Sequence, residues 1–123
     1  MRKIQRGQVY QVRLNDGFGS EQGGNRPCVI LQNDIGNAHS PTTIIAVITS
    51  KGSRKHQIPT HYDVNNDFFL MPSTVLLEQI RTIDKSRLGQ YYGELTKDQM
   101  KEIDKCLKIF VLSNNLDFSS LAN

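Results

Sequence analysis

Between Asn15 and Pro27 the chain reads "NDGFGSEQGGNRP", which brings a hydroxyl (Ser20), an acid (Glu21), two amides (Gln22, Asn25) and Arg26 around Gly23-Gly24. Glycines let a backbone approach an anion closely and aim N–H groups at it. Arg26 adds a planar, permanently charged fork shaped for phosphate. The bland alternative is a flexible hairpin in which Arg26 pairs with Glu21, a surface pair of little energetic weight. Phe18, between Gly17 and Gly19, is an aromatic on the same pliable loop, suited to a core or to a stacked base. Thr49 ends the run "TTIIAVIT", where its hydroxyl could emerge from a core or simply reflect β propensity. Glu78 and Gln79 interrupt "VLLEQIR", and burying them requires partners or a strand end open to water. Asn33-Asp34 ends the run "PCVILQ", where such a pair is usually just turn chemistry.

Other chemistries find less support. His39, His56 and His61 are scattered, with no H-x-x-x-H spacing, and read as surface or loop residues. The acids are dispersed, unlike the clustered carboxylates of two-metal nucleases. No P-loop, G-x-G-x-x-G or G-x-S-x-G is present. No metal and no cofactor are therefore expected. Cys28 and Cys106 lack paired spacing and read as small buried hydrophobes, in keeping with a reducing cytoplasm.

The elements that must hold these residues follow from periodicity. The 123-residue chain is sized for one domain with one modest core. Its net charge of +3 lets it grip a polyanion through a local patch and no more. No apolar run is long enough to span a membrane, and the basic start lacks the apolar core of a secretory signal; a cytoplasmic location is expected. "GQVYQVRL" alternates from Tyr10 and predicts a half-buried strand, with Gln8 and Val9 out of phase. "PCVIL" predicts a short apolar strand with Pro27 at its entrance, and "NDIGNAHSP" a second loop. "TTIIAVIT" has the profile of a central strand. "SKGSRKHQIP" reads as a basic, mobile connection, "THYDV" as a short strand and "NNDFFLMP" as a turn. "STVLLEQIRTID" is a strand with polar residues midway along both faces. From Leu95 the period becomes helical: Thr96 and Gln99 form a capping box, and Met100, Ile103, Leu107, Phe110 and Val111 make the apolar stripe. Lys97, Lys101, Lys105 and Lys108 face outward. The expected class is α+β, mainly β: a small SH3-like barrel or twisted antiparallel sheet with a C-terminal helix against it. One domain over residues 1–113 and a polar tail over 114–123 complete the expectation.

"RGQVYQVRL", "GSEQGGNRPCVILQND", "TTIIAVIT" and "STVLLEQIRTIDKSRLG", in that order, resemble the MazF/PemK toxins of bacterial toxin–antitoxin pairs, most of all the Gram-positive branch. The resemblance runs from about Arg6 to Leu112. It implies a homodimeric, ribosome-independent endoribonuclease that cuts single-stranded mRNA at a short sequence. It also implies a separate MazE-like antitoxin whose acidic C-terminal segment covers the RNA groove. Carried over position by position, the catalytic arginine falls on Arg26, the catalytic threonine on Thr49 and the loop serine on Ser20. RNA contacts fall on Phe18, Glu21, Glu78 and Gln79, and Gln22, Asn33 and Asp34 complete the RNA-binding candidates. Two other functions stay open: a toxin of similar fold that inhibits gyrase by binding, and a non-catalytic RNA-binding barrel.

Overall fold

A computed structural model describes residues 2–15, 23–50 and 58–112. Its frame is one six-stranded antiparallel sheet in the order β4-β5-β3-β2-β1-β6. The strands are β1 (Gln8–Arg13), β2 (Asn25–Ile30), β3 (Thr42–Thr49), β4 (His61–Val64), β5 (Ser73–Asp84) and β6 (Leu88–Glu94). Two helices complete it, α1 (Asp34–His39) and α2 (Lys97–Leu112). The mainly-β sheet with its C-terminal helix matches the expected class.

Both faces of the sheet are buried, which explains where strict alternation fails. Val9, Val29, Ala46, Ile48, Val75 and Leu77 form one cluster with Leu95, Met100 and Ile103, under α2. Tyr10, Val12, Leu14, Cys28, Ile30, Ile45, Val47 and Ile83 form the second, on the other face. From Tyr10 onward β1 alternates as expected, with Tyr10 and Val12 buried, Gln11 partly buried and Arg13 exposed; only its start is buried on both sides, where Val9 belongs to the α2 face. Gln8 is buried too: its Oε1 accepts from the Gln5 N–H at 2.8 Å and the Tyr10 hydroxyl at 2.9 Å. "TTIIAVIT" is central as expected, lying between β5 and β2.

Two segments depart from the sequence expectation. "NDIGNAHSP" contains α1, not only a loop; the Asn33 side chain caps it by accepting from Gly36 N–H at 2.8 Å. Gly36 and Asn37 are poor helix formers, so propensity hides this single turn and a half. β6 is not picked out by alternation because Gly89 and Gly93 dilute it. Gly93 is there for closeness: a Cβ would stand 2.3 Å from the Phe68 ring.

The capping box of α2 forms in full. Gln99 N–H donates to Thr96 Oγ1 at 3.1 Å, and Thr96 N–H donates to Gln99 Oε1 at 2.9 Å. Met100 and Ile103 anchor the helix against the sheet, with Cys106 and Leu107 half-buried. The last turn leaves the sheet, and the apolar stripe ends in solvent: Phe110 is 42% and Val111 58% exposed. No described helix is long and apolar enough to cross a membrane. The expected tail, residues 114–123, and the basic connection at 51–57 lie outside the described residues.

Candidate active site and nucleic-acid interface

The ladder of β2 and β3 pairs Cys28 with Val47, Val29 with Ala46 and Ile30 with Ile45. It stops beside Pro27, which has no N–H to extend it. Arg26 and Thr49 each lie two residues beyond the last pair, Cys28 and Val47, and so share the face of those residues. On the neighbouring strands Arg26 faces Val12, and Thr49 faces Thr74, which in turn faces Asp63. Val12 with Arg26, and Thr49 with Thr74 and Asp63, thus form two short cross-strand rows on one face, the first partly apolar and the second polar. Opposed residues of a sheet share a face, with Cβ atoms about 5 Å apart. That face is the one remote from α2, because Val12, Cys28 and Val47 all belong to the second cluster.

The foot of the β1–β2 loop is braced next to Arg26. Leu14 N–H donates to Gly24 O at 2.9 Å and Gly24 N–H to Asn15 O at 2.7 Å. Gly24 adopts φ +75°, a left-handed value that favours glycine. Arg26 Nε donates to the Gly23 carbonyl at 3.0 Å, which aims the guanidinium along the loop. Among the described residues no carboxylate pairs with it. Phe18, Ser20, Glu21 and Gln22, and with them the Arg26–Glu21 alternative, lie outside the described residues. Thr49 does not emerge from the core: it is 1% exposed.

A second cation joins this face. Burial pushes the Cys28 thiol up to about 12, and the guanidinium groups of Arg81 and Arg26 both pull it back. Arg81 sits opposite Ile45, and its Nη1 donates to Leu14 O at 3.3 Å. The Cys28 thiol is thus a protonated hydrophobe between two positive charges, not a nucleophile. Sequence reasoning passes over Arg81 because an arginine among strand residues looks like ordinary surface; only the fold sets it beside Arg26.

Glu78 and Gln79 owe their position to a bulge. Ala46 pairs with Ile80 but the next residue, Val47, pairs with Leu76, so Leu77, Glu78 and Gln79 are extra on β5. This accounts for polar residues in the middle of a central strand. Glu78 turns to the β4 side, where Thr60 Oγ1 donates to its Oε1 at 3.1 Å and His61 Nε2 stands 2.8 Å from its Oε2. His61 is no surface residue; its side chain is 8% exposed. One strand residue away, the Thr74 hydroxyl donates to Asp63 Oδ1 at 2.7 Å.

Asn33 and Asp34 stand at the other end of β2, about 13 Å of strand or more from Arg26 at the usual rise. Asn33 caps α1, and Asp34 Oδ1 accepts from Arg6 N–H at 2.7 Å. The structure brings Arg26, Thr49 and Glu78 onto one face and does not bring Asn33 and Asp34 to them. Among the described residues no group of three or more His, Cys, Asp or Glu is placed to hold a metal ion.

Comparison with known proteins bears on this arrangement. Residues 5–111 match the family of PemK-like, MazF-like toxins of type II toxin–antitoxin systems. An endoribonuclease MazF of Staphylococcus epidermidis is 47% identical over 116 residues, covering 93% of this chain and 96% of that protein. Among solved structures, an endoribonuclease from a mycobacterial species superposes with a TM-score of 0.72 at 27% identity, covering 90% of this chain and 93% of that one. A mycobacterial endoribonuclease in complex with its cognate antitoxin gives the same score and identity, over 91% of this chain and 99% of that one. MazF from Deinococcus radiodurans shares the fold, with a TM-score of 0.74 at 21% identity over 88% of this chain and 96% of its own.

Proposed function

The chain belongs to the family of PemK-like, MazF-like toxins of type II toxin–antitoxin systems, and on that premise we propose that it is an endoribonuclease whose scissile phosphate lies between Arg26 and Thr49. What supports this reading is that both stand on one sheet face, each two residues past the last pair of the β2–β3 ladder. A guanidinium fork and a hydroxyl can both donate to phosphate oxygens, and these residues supply both.

The chemistry is attack by the RNA's own 2′-hydroxyl. The O2′–P bond forms and the P–O5′ bond breaks; the 2′ proton passes to a base and the departing O5′ takes up a proton. The products are a 2′,3′-cyclic phosphate and a 5′-hydroxyl. Arg26 stabilises charge growing on the non-bridging oxygens, and Thr49 holds a non-bridging oxygen or the ribose. Guanidinium is too weak an acid to act as the base; Glu21 is the carboxylate candidate for that role. Ser20 and Gln22 supply loop donors, and Asn33 and Asp34 belong to the distal RNA path. Selectivity arises from single-stranded bases stacked on Phe18 and read at their edges by Glu78, Gln79 and Glu21.

The active form is a homodimer in the cytoplasm, and a MazE-like antitoxin blocks the RNA face with an acidic segment that mimics the polyanion. The deciding experiment incubates the purified protein with a defined single-stranded RNA and maps both ends of each cut. Cyclic phosphate and 5′-hydroxyl ends at one short sequence, unaffected by EDTA, are expected. RNA retained without shortening, or cleavage that stops when metal is chelated, overturns the proposal.

A further inference from the structure

β4 serves β5 on the substrate side of the sheet. His61 and Asp63 lie on that face of β4, and Thr60 immediately precedes them. Each is bonded to a polar group of β5: Asp63 to Thr74, Thr60 and His61 to Glu78. The second set has unusual geometry. It grips both oxygens of one carboxylate, Oε1 at 3.1 Å and Oε2 at 2.8 Å, from two consecutive residues.

The imidazole is committed as firmly. Among the described residues its Nδ1 is buried with no hydrogen-bond partner. A proton on Nδ1 would be a buried donor without an acceptor, which costs about 1–3 kcal/mol. The ring is therefore the Nε2–H tautomer, assigned from its hydrogen bonds, and its one proton points at Glu78. With one donor on each oxygen, Glu78 cannot rotate, and its remaining lone pairs point out of the clamp. The Glu78 side chain is 33% exposed, which leaves it open to a base on that side.

We propose that Thr60 and His61 are positioning residues that set base preference by holding Glu78 as an acceptor-only reader. A base seated there must donate an N–H, which cytosine, adenine and guanine offer from an exocyclic amino group. Uracil has only its ring N3–H, flanked by two carbonyl oxygens that repel a carboxylate, and is disfavoured. The inference rests on the reading of Glu78 as an RNA contact.

The test is cleavage of an RNA pool with a randomised window, with sequencing of the cut ends to give base frequencies at every position. Glu78→Gln, which replaces one acceptor by a donor, shifts preference at a single position. His61→Leu weakens discrimination at that same position about tenfold, the size of a lost hydrogen bond to a charged group, and leaves the others unchanged. His61→Gln, which keeps an N–H near the place of Nε2, restores most of it. Thr60→Val lowers it severalfold and Thr60→Ser does not.

If folded His61→Leu and Thr60→Val keep the parental preference at the position Glu78→Gln alters, the positioning role is overturned while Glu78 remains a reader. If Glu78→Gln alters no position, the RNA contact itself falls and the inference with it. A parental preference for uracil at that position also overturns it. Should His61→Leu fail to fold, the Thr60 pair decides.

Discussion

β3 carries two threonines on the same face, Thr43 and Thr49, exposed to 0% and 1%. In residue type, strand and burial they are equivalent; their neighbours are not. Thr43 donates to Asn37 Oδ1 at 2.7 Å, inside a closed amide network. Gln32 Nε2 donates to the same oxygen at 3.1 Å and to Thr42 O at 3.1 Å, while Asn37 Nδ2 returns a bond to Gln32 O at 2.9 Å. Lys85 reaches the Asn37 carbonyl as well. Every amide and hydroxyl in the cluster thus has a partner within it, which is what a buried polar cluster needs to be stable. Thr49 lies instead on the part of that face that carries Arg26 and Arg81, where among the described residues the Arg26 guanidinium bonds the Gly23 carbonyl and no carboxylate. The carboxylates of the same face, Asp63 and Glu78, are bonded to Thr74 and His61, which leaves the two cations to favour an anionic guest. The partner's chemistry, not burial, separates a structural threonine from one at a site.

The largest effect that tests this contrast is on Arg26. Arg26→Ala is expected to slow cleavage of a defined RNA about a thousandfold or more, the scale of a lost transition-state donor, with an unchanged thermal midpoint. A parental rate in the folded variant would erase the distinction between the two ends of β3. Next comes the threonine exchange itself. Thr49→Val should lower the rate roughly 10- to 100-fold, as for one hydrogen bond to a charged group. Thr43→Val should leave the rate per folded molecule alone, and a similar loss from both variants would mean that burial matters more than the neighbour.

Smaller effects appear in stability. Asn37→Ala removes three side-chain bonds of the closed network and should cost about 3 kcal/mol in chemical denaturation without changing cleavage kinetics. The signal from Cys28 is confined to alkaline pH and absent at neutrality. Burial raises its thiol to about 12. A raised folded value means stability is whole below pH 9 and falls as pH rises toward 12, because only the unfolded chain releases the proton. Cys28→Ala should flatten that alkaline decline by about 1.4 kcal/mol per pH unit, measured by urea unfolding between pH 9 and 12. An unchanged slope would mean that burial does not hold the thiol protonated against the pull of the two arginines.

Much of the fold is legible in the residues. The capping box at Thr96 and Gln99 is a matter of three-residue spacing, and it forms as written. "TTIIAVIT" is apolar on both sides because both sides are buried. α1 and β6 are harder to see, since Gly36, Asn37, Gly89 and Gly93 lower their local preference while tertiary contacts make up the difference. The stripe of α2 is read as longer than its packed part, because periodicity says which residues share a face and not where the sheet beneath them ends. At the site, Arg26 and Thr49 are legible as candidates through resemblance, whereas Arg81 carries no local mark. Glu78 and Gln79 are visible as an anomaly in a strand, but the bulge that resolves it depends on which residues of β3 lie opposite.

Helix caps, strand alternation and the kinds of side chain available for binding an anion were set by the linear order of residues, since each depends on neighbours a few positions apart. The placing of Arg26 and Thr49 on one face, the three-residue bulge in β5 and the grip of Thr60 and His61 on Glu78 were decided only when strands distant in the chain paired. Register is a property of two strands at once, and burying both faces of this sheet selects one register among many that the same segments would allow.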